Sequence, residues 1–259
     1  MDRLARFPTS LRAASTLLRL GPAPALLCLP EGEARVPALL WLHGRTVEKE
    51  IDSARYLRLI RAGLAVVAID LPGHGERLDP ALHDPDAMPE LLERAIPEVD
   101  QVLEALRAAP AAARIDPERL AMGGMSAGGM VTLRRLCDPH PFRAAAVEST
   151  AGDFSAGGRW EAARLRGLEP LAHLDGWRPL PLLALHSRAD QVVPVGAIET
   201  FVEALRERHR ARGADPELVR LVTWSATGAP AEHAGFGRVA REARELLVSF
   251  LVEHLTAVR

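Results

Sequence analysis

Ser126 stands in Gly124-Met125-Ser126-Ala127-Gly128, and Gly123 and Gly129 extend the small-residue run on both sides. A serine flanked this way suits a sharp, strained turn between a strand and a helix, with its hydroxyl lifted clear of neighbouring bulk. A serine alone is a weak nucleophile. It needs a histidine to take its proton, and the histidine needs a carboxylate to fix its tautomer. Downstream, Asp190 follows a strand-like run in Leu183-Ala184-Leu185-His186-Ser187-Arg188-Ala189-Asp190, and His233 follows the next one in Ala231-Glu232-His233-Ala234-Gly235-Phe236. The chemistry these three offer is acyl transfer, with Ser126 as nucleophile, His233 as base and Asp190 as its carboxylate.

Acyl transfer also needs two N–H donors aimed at the oxygen that becomes negative. The backbone N–H of Ala127, after the nucleophile, is one candidate. The other is the N–H of Arg45, at the end of the apolar run Leu39-Leu40-Trp41-Leu42 leading into His43-Gly44. The Arg45 guanidinium is also a candidate for pairing with an anionic substrate group, against the commoner outcome of a solvent-facing arginine. Rivals for the acid are Glu148 and Asp153. Among the histidines, His43 is expected to brace its loop, His186 lies inside a strand, and His209 and His254 lie in helices and should face solvent. No His-Glu-x-x-His or Cys-x-x-Cys spacing, phosphate loop or dinucleotide fingerprint is present, so neither metal nor cofactor is called for.

The elements that must hold these groups alternate. Compact apolar runs at 36–42, 64–69, 119–122, 144–148, 181–186 and 218–224 read as buried strands. Between them, helices are expected at 47–62, 88–109 (kinked or divided by Pro97), 126–137, 196–210 and 236–255. Strands separated by crossover helices require a mainly parallel sheet. Residues 1–35, rich in Pro and Gly turns, should add one or two antiparallel edge strands. The irregular stretch 149–179 is the one segment long enough for a small cap, and carries Phe154, Trp160, Leu165, Leu168, Leu171 and Trp177. Two readings stay open for it: an apolar acyl pocket with Trp160 and Trp177 against the substrate, or simple packing onto the sheet.

With these residues placed, the chain resembles the α/β-hydrolase superfamily, and within it the small bacterial serine esterases grouped with dienelactone hydrolases and prolyl-oligopeptidase-like hydrolases. The resemblance rests on His43-Gly44, on Asp70-Leu71-Pro72-Gly73-His74-Gly75-Glu76-Arg77, on the serine turn at 124–128, on the loop from His186 to Pro194 and on His233. It implies an α/β-hydrolase fold over residues 1–259 as one domain, helices on both faces of a twisted parallel sheet, and the chain order serine, acid, histidine. It further implies that the loop 70–77 forms a wall of the pocket, with His74 and Arg77 as bracing groups. The implied activity is hydrolysis of small carboxylic esters through an acyl-enzyme. Two departures are visible: dienelactone hydrolases proper carry cysteine where Ser126 stands, and Ser187 occupies a position where the family's acid loop has glycine. Alternatives on the same machinery are a peptidase or thioesterase, and from another class a ligand-binding relative without turnover.

Composition agrees with this class. With 48% hydrophobic and 25% charged residues the 259-residue chain is of ordinary globular make-up. A formal charge of −2 gives no reason to expect nucleic acid or an anionic membrane as partner. No run approaches the roughly 18 apolar residues of a membrane span. Cys28 and Cys137 are expected as buried free thiols. The Arg-rich start lacks the pattern of a secretory signal, so the expected compartment is the cytoplasm.

Overall fold

The computed structural model describes residues 3–155, 160 and 162–256. Its sheet contains β1 (Ser15–Leu20), β2 (Ala23–Cys28), β3 (Val36–Leu42), β4 (Ala65–Ile69), β5 (Ile115–Met125), β6 (Ala144–Glu148), β7 (Leu182–Ser187) and β8 (Val219–Trp224), in the spatial order β1-β2-β4-β3-β5-β6-β7-β8. β2 runs antiparallel to both its neighbours, and every pairing from β4 across to β8 is parallel. The expected antiparallel start is therefore present, with β1 as the edge and β2 inside the sheet. The helices are α1 (Thr9–Ala13), α2 (Ser53–Arg61), α3 (Met88–Ala108), α4 (Ala127–Arg135), α5 (Ala162–Leu165), α6 (Gly196–Ala211) and α7 (Ala240–Thr256).

Successive strand residues point to opposite faces, so continuous apolar strands demand cover on both sides. On one face Leu40, Leu42, Val67, Ile69 and Val147 pack against Leu91, Val99, Val131, Phe201 and Leu205 of α3, α4 and α6. On the other, Leu39, Trp41, Val66, Ala68 and Leu185 pack against Leu11, Tyr56, Leu59, Leu247 and Leu251 of α1, α2 and α7. Each such side chain, fully withdrawn from water, contributes about 1.5–3 kcal/mol. Both cysteines are buried free thiols. Among the described residues, no helix is long and apolar enough to cross a membrane.

Several elements differ from the sequence reading. α2 starts at Ser53 rather than near 47, because the stretch before it is a set of turns around a buried cation. Lys49 donates from Nζ to Asp70 Oδ2 at 2.8 Å and to Glu76 at 2.5 Å, while its own N–H donates to Asp70 Oδ1 at 3.0 Å. A lysine held inside this way cannot lie on the wet face of a helix. α3 runs unbroken through Pro97. β5 begins at Ile115, earlier than expected, and α7 begins only at Ala240, because Phe236 takes φ +59° and a short 3-10 turn intervenes. In 149–179 the described residues hold only α5 and the 3-10 stretch Pro170–Gly176; residues 156–159 and 161 lie outside the described set.

Candidate active site

β5 delivers the chain to Ser126, whose φ of 51° and ψ of −115° put a non-glycine residue in strained backbone between the strand and α4. Neighbours hold the turn. Ser126 N–H donates to Glu148 O at 2.8 Å, and its carbonyl accepts from Thr150 Oγ1 at 2.8 Å and Met130 N at 2.9 Å. A side chain at Gly124 would run into Gly128 at 2.4 Å, so the strand and the helix meet only because both positions are bare.

His233 Nε2 lies 3.0 Å from Ser126 Oγ, and His233 Nδ1 lies 2.8 Å from Asp190 Oδ2. A carboxylate only accepts, so Nδ1 carries the proton and Nε2 is left with a lone pair facing the hydroxyl. The Asp190 side chain has no solvent exposure, and its Oδ1 accepts from the N–H groups of Val192 and Val193 at 2.8 Å each. The rival acid Glu148 is engaged elsewhere: Arg55 grips it with two hydrogen bonds of 2.6 and 2.7 Å and stacks over Trp41 at 3.9 Å. Asp153 lines the cleft, but its oxygen accepts from Ser155 in a local turn, at 2.7 Å from the hydroxyl.

The loop after β3 is braced by His43. Leu71 N–H donates to its Nε2 at 3.0 Å, so Nδ1 bears the proton and donates to Gly44 O at 2.6 Å. Burial pushes His43 down to about 4, which keeps this neutral form in place at ordinary pH. In a planar trans peptide the Gly44 carbonyl and the Arg45 N–H point in opposite directions, so fixing the first fixes the second. Ala127 opens α4, and its N–H is one of those a helix start leaves without a helical acceptor. His74 donates to Pro72 O at 2.8 Å and stacks on His83, and Arg77 ties the backbone of Asp70 and Leu71 to Glu98. Both brace the 70–77 loop, as the resemblance implied, but the loop is not the pocket wall it was expected to be: none of residues 70–77 lines the cleft above Ser126.

A cleft of about 490 Å³ opens above Ser126, lined by Arg45, Met88, Met130, Phe154, Trp160 and Val193 among others. Trp160 donates its indole N–H to Pro85 O at 3.1 Å. Trp177 corrects the sequence reading: it is fully buried, edge-on to Phe201 with centroids 5.8 Å apart, and takes no part in the cleft wall. The segment 149–179 thus divides, with Phe154 and Trp160 facing the cleft and Leu165, Leu168 and Trp177 packed into the core. Arg45 is half-buried, its guanidinium donating to His83 O, rather than pointing into solvent. His209 is buried and His254 half-buried against Phe250, neither of them solvent-facing. Sequence reasoning missed Glu232, which accepts from Ser187, Thr227 and Gly228, because only its place beside His233 marks it.

Sheet order, strained serine turn and the three-residue relay define a class, and a sequence profile of the alpha/beta hydrolase family matches residues 39–255. The chain belongs to that family. Among curated relatives, the putative esterase NocK of Nocardia uniformis subsp. tsuyamanensis is 29% identical over 189 residues, which is 70% of this chain and 47% of that one. The chain therefore spans about half the length of NocK. Esterase YjfP of Escherichia coli (strain K12) is 28% identical over 258 residues, covering 91% of this chain and 97% of YjfP. Among solved structures, a propionate-bound thermophilic esterase from Thermogutta terrifontis superposes with a TM-score of 0.69 at 19% identity, covering 95% of this chain and 97% of that one.

Proposed function

We propose that this chain is a serine hydrolase that cleaves small carboxylic esters through an acyl-enzyme. The observation that carries this reading is the continuous relay from Ser126 Oγ through His233 to Asp190, with links of 3.0 and 2.8 Å. In the first half-reaction Ser126 Oγ bonds to the ester carbonyl carbon as its proton passes to His233 Nε2. The carbonyl oxygen becomes an oxyanion, held by the N–H groups of Ala127 and Arg45, and Asp190 stabilises the imidazolium. Collapse breaks the bond to the alkoxy oxygen, which leaves as alcohol with the proton from His233. Water then attacks the acyl-enzyme with His233 as base, releasing the acid and restoring Ser126.

The mixed cleft lining supports a short or medium acyl chain, with Met88, Met130, Phe154 and Trp160 supplying the apolar contact. In this reading residues 1–259 form one α/β-hydrolase domain, and 149–179 contributes a wall of the pocket through Phe154 and Trp160. Arg45 serves through its backbone N–H, while its guanidinium ties the loop to His83 O. A screen of p-nitrophenyl esters of increasing chain length, with Ser126→Ala as the blank, tests the proposal. Turnover of acetate to hexanoate esters that vanishes in the blank is the expected result. Turnover that survives in Ser126→Ala at the parent rate would remove it.

A further inference from the structure

His233 has to meet Ser126 and Asp190 at once, yet the loop that carries it is built against its own backbone preferences. The two residues before it, Ala231 at φ +50° and Glu232 at φ +53°, are consecutive non-glycine residues in the left-handed region. Such a loop relaxes unless its surroundings over-determine it. The backbone supplies part of the hold, through Gln191 N–H donating to Ala231 O at 3.0 Å and His233 N–H to Pro230 O at 3.1 Å. Four further hydrogen bonds converge on one side chain. Glu232 Oε2 accepts from Ser187 Oγ at 2.9 Å, from Thr227 N–H at 2.6 Å and from Thr227 Oγ1 at 2.8 Å, while Oε1 accepts from Gly228 N–H at 2.7 Å.

A carboxylate that merely capped a turn would stop at the N–H groups of its own loop. Glu232 reaches out of it. Ser187 is the buried last residue of β7, three positions before Asp190, so the contact ties the histidine loop to the strand that presents the acid. Ser187 is also the position where the sequence departs from the glycine of related acid loops, and a hydroxyl is the group needed there. We propose that Glu232 is a positioning residue: by gripping Ser187, Thr227 and Gly228 its carboxylate holds the loop 227–236 in the conformation that aligns His233 with Ser126. The same donors hold its carboxyl down at about 2, led by the Thr227 N–H, so the grip persists across working pH. The inference rests on the serine-hydrolase reading above.

Glu232→Gln keeps the size but places an amide –NH2 where Gly228 or Ser187 and Thr227 donate, so it cannot reproduce both sides of the grip. Ser187→Ala removes one strand-side bond and leaves the loop sequence intact. For p-nitrophenyl acetate, Glu232→Gln should lower kcat at least tenfold with KM within twofold, and shift the acid limb of the pH–rate profile. Ser187→Ala should lower kcat severalfold, and the double variant should be no worse than Glu232→Gln alone, because both changes break one contact. The Nδ1–H proton of His233, observed in 15N-histidine-labelled protein and assigned with His233→Gln, should shift or broaden in both variants. That resonance reads the imidazole's position even where no ester is turned over. Parent-like kcat, pH profile and resonance in a folded Glu232→Gln, or in Ser187→Ala if Glu232→Gln does not fold, would overturn the proposal. Failure of the parent itself to hydrolyse any ester would count against the triad, while a shifted resonance in the variants would still support the positioning role.

Discussion

A Cβ placed on Gly128 would lie 2.2 Å from the carbonyl oxygen of Leu42, the last residue of β3 before the His43-Gly44 loop. One bare position therefore sets how closely α4 approaches the strand that leads to Arg45, the second oxyanion donor in the proposed mechanism. Gly128→Ala has to push the two apart. It should lower stability by about 3 kcal/mol, the upper part of the usual overpacking range, and depress kcat for ester hydrolysis. Urea denaturation together with steady-state kinetics checks both. A variant as stable and active as the parent would show that the spacing is not constrained.

Asp190 and its rival Glu148 should separate cleanly by phenotype. The Asp190 carboxylate is buried, takes two backbone N–H donors and orients His233, so Asp190→Asn should keep the fold and lower kcat by about 10³-fold or more by favouring the wrong tautomer. Glu148 instead neutralises the buried Arg55. Removing its charge with Glu148→Gln leaves Arg55 only the more distant Asp52, 3.6 Å away, and should cost about 3 kcal/mol of stability, the low end of the usual penalty for breaking a buried pair. Kinetics and chemical denaturation of both variants decide the matter; a reversed pattern would move the acid to Glu148.

Two tryptophans of the 149–179 segment should also part company. Trp160 lines the cleft, so Trp160→Ala should alter the dependence of kcat/KM on acyl length while leaving stability nearly unchanged. Trp177 is enclosed in the core against Phe201, so Trp177→Ala should cost about 3–5 kcal/mol and leave the chain-length preference as it was. Chain-length profiles and melting curves on the two variants check this. Matching profiles for Trp160→Ala and the parent would remove Trp160 from the acyl site.

How much of this was legible in the sequence follows from the range of each signal. Ser126, Asp190 and His233 announce themselves locally, by small neighbours, a strand end or a loop, and chain order. The crossover strands were readable because apolar runs of that length leave few other choices. Trp177 was not, since an apolar residue in an irregular segment does not reveal which of two surfaces it meets. Lys49 looked like a helix residue because its partners, Asp70 and Glu76, come from another loop. The Glu232 grip was invisible for the same reason: its partner Ser187 lies 45 positions away, and no local pattern joins them.

Acid should weaken the fold through its buried histidines. His43 is pushed down to about 4 by burial, against roughly 6.5 for an exposed histidine. The unfolded chain therefore binds the proton first as pH falls, and stability rises with pH between about 4 and 6.5 and is lost on the way down. Between pH 7.5 and pH 5 this one group removes about 2 kcal/mol. His74, His186 and His209 are lowered by burial too and act in the same direction. Denaturation midpoints at the two pH values test the sign, and His43→Gln should flatten the slope. Greater stability at pH 5 than at pH 7.5 would contradict it.

The reactivity of Ser126 tests the central claim most directly. Intact protein treated with a fluorophosphonate and mapped by peptide mass spectrometry should carry one covalent adduct, on Ser126, formed in step with loss of esterase activity and absent from folded Ser126→Ala. A folded parent whose Ser126 stays unmodified while ester hydrolysis continues would contradict the account.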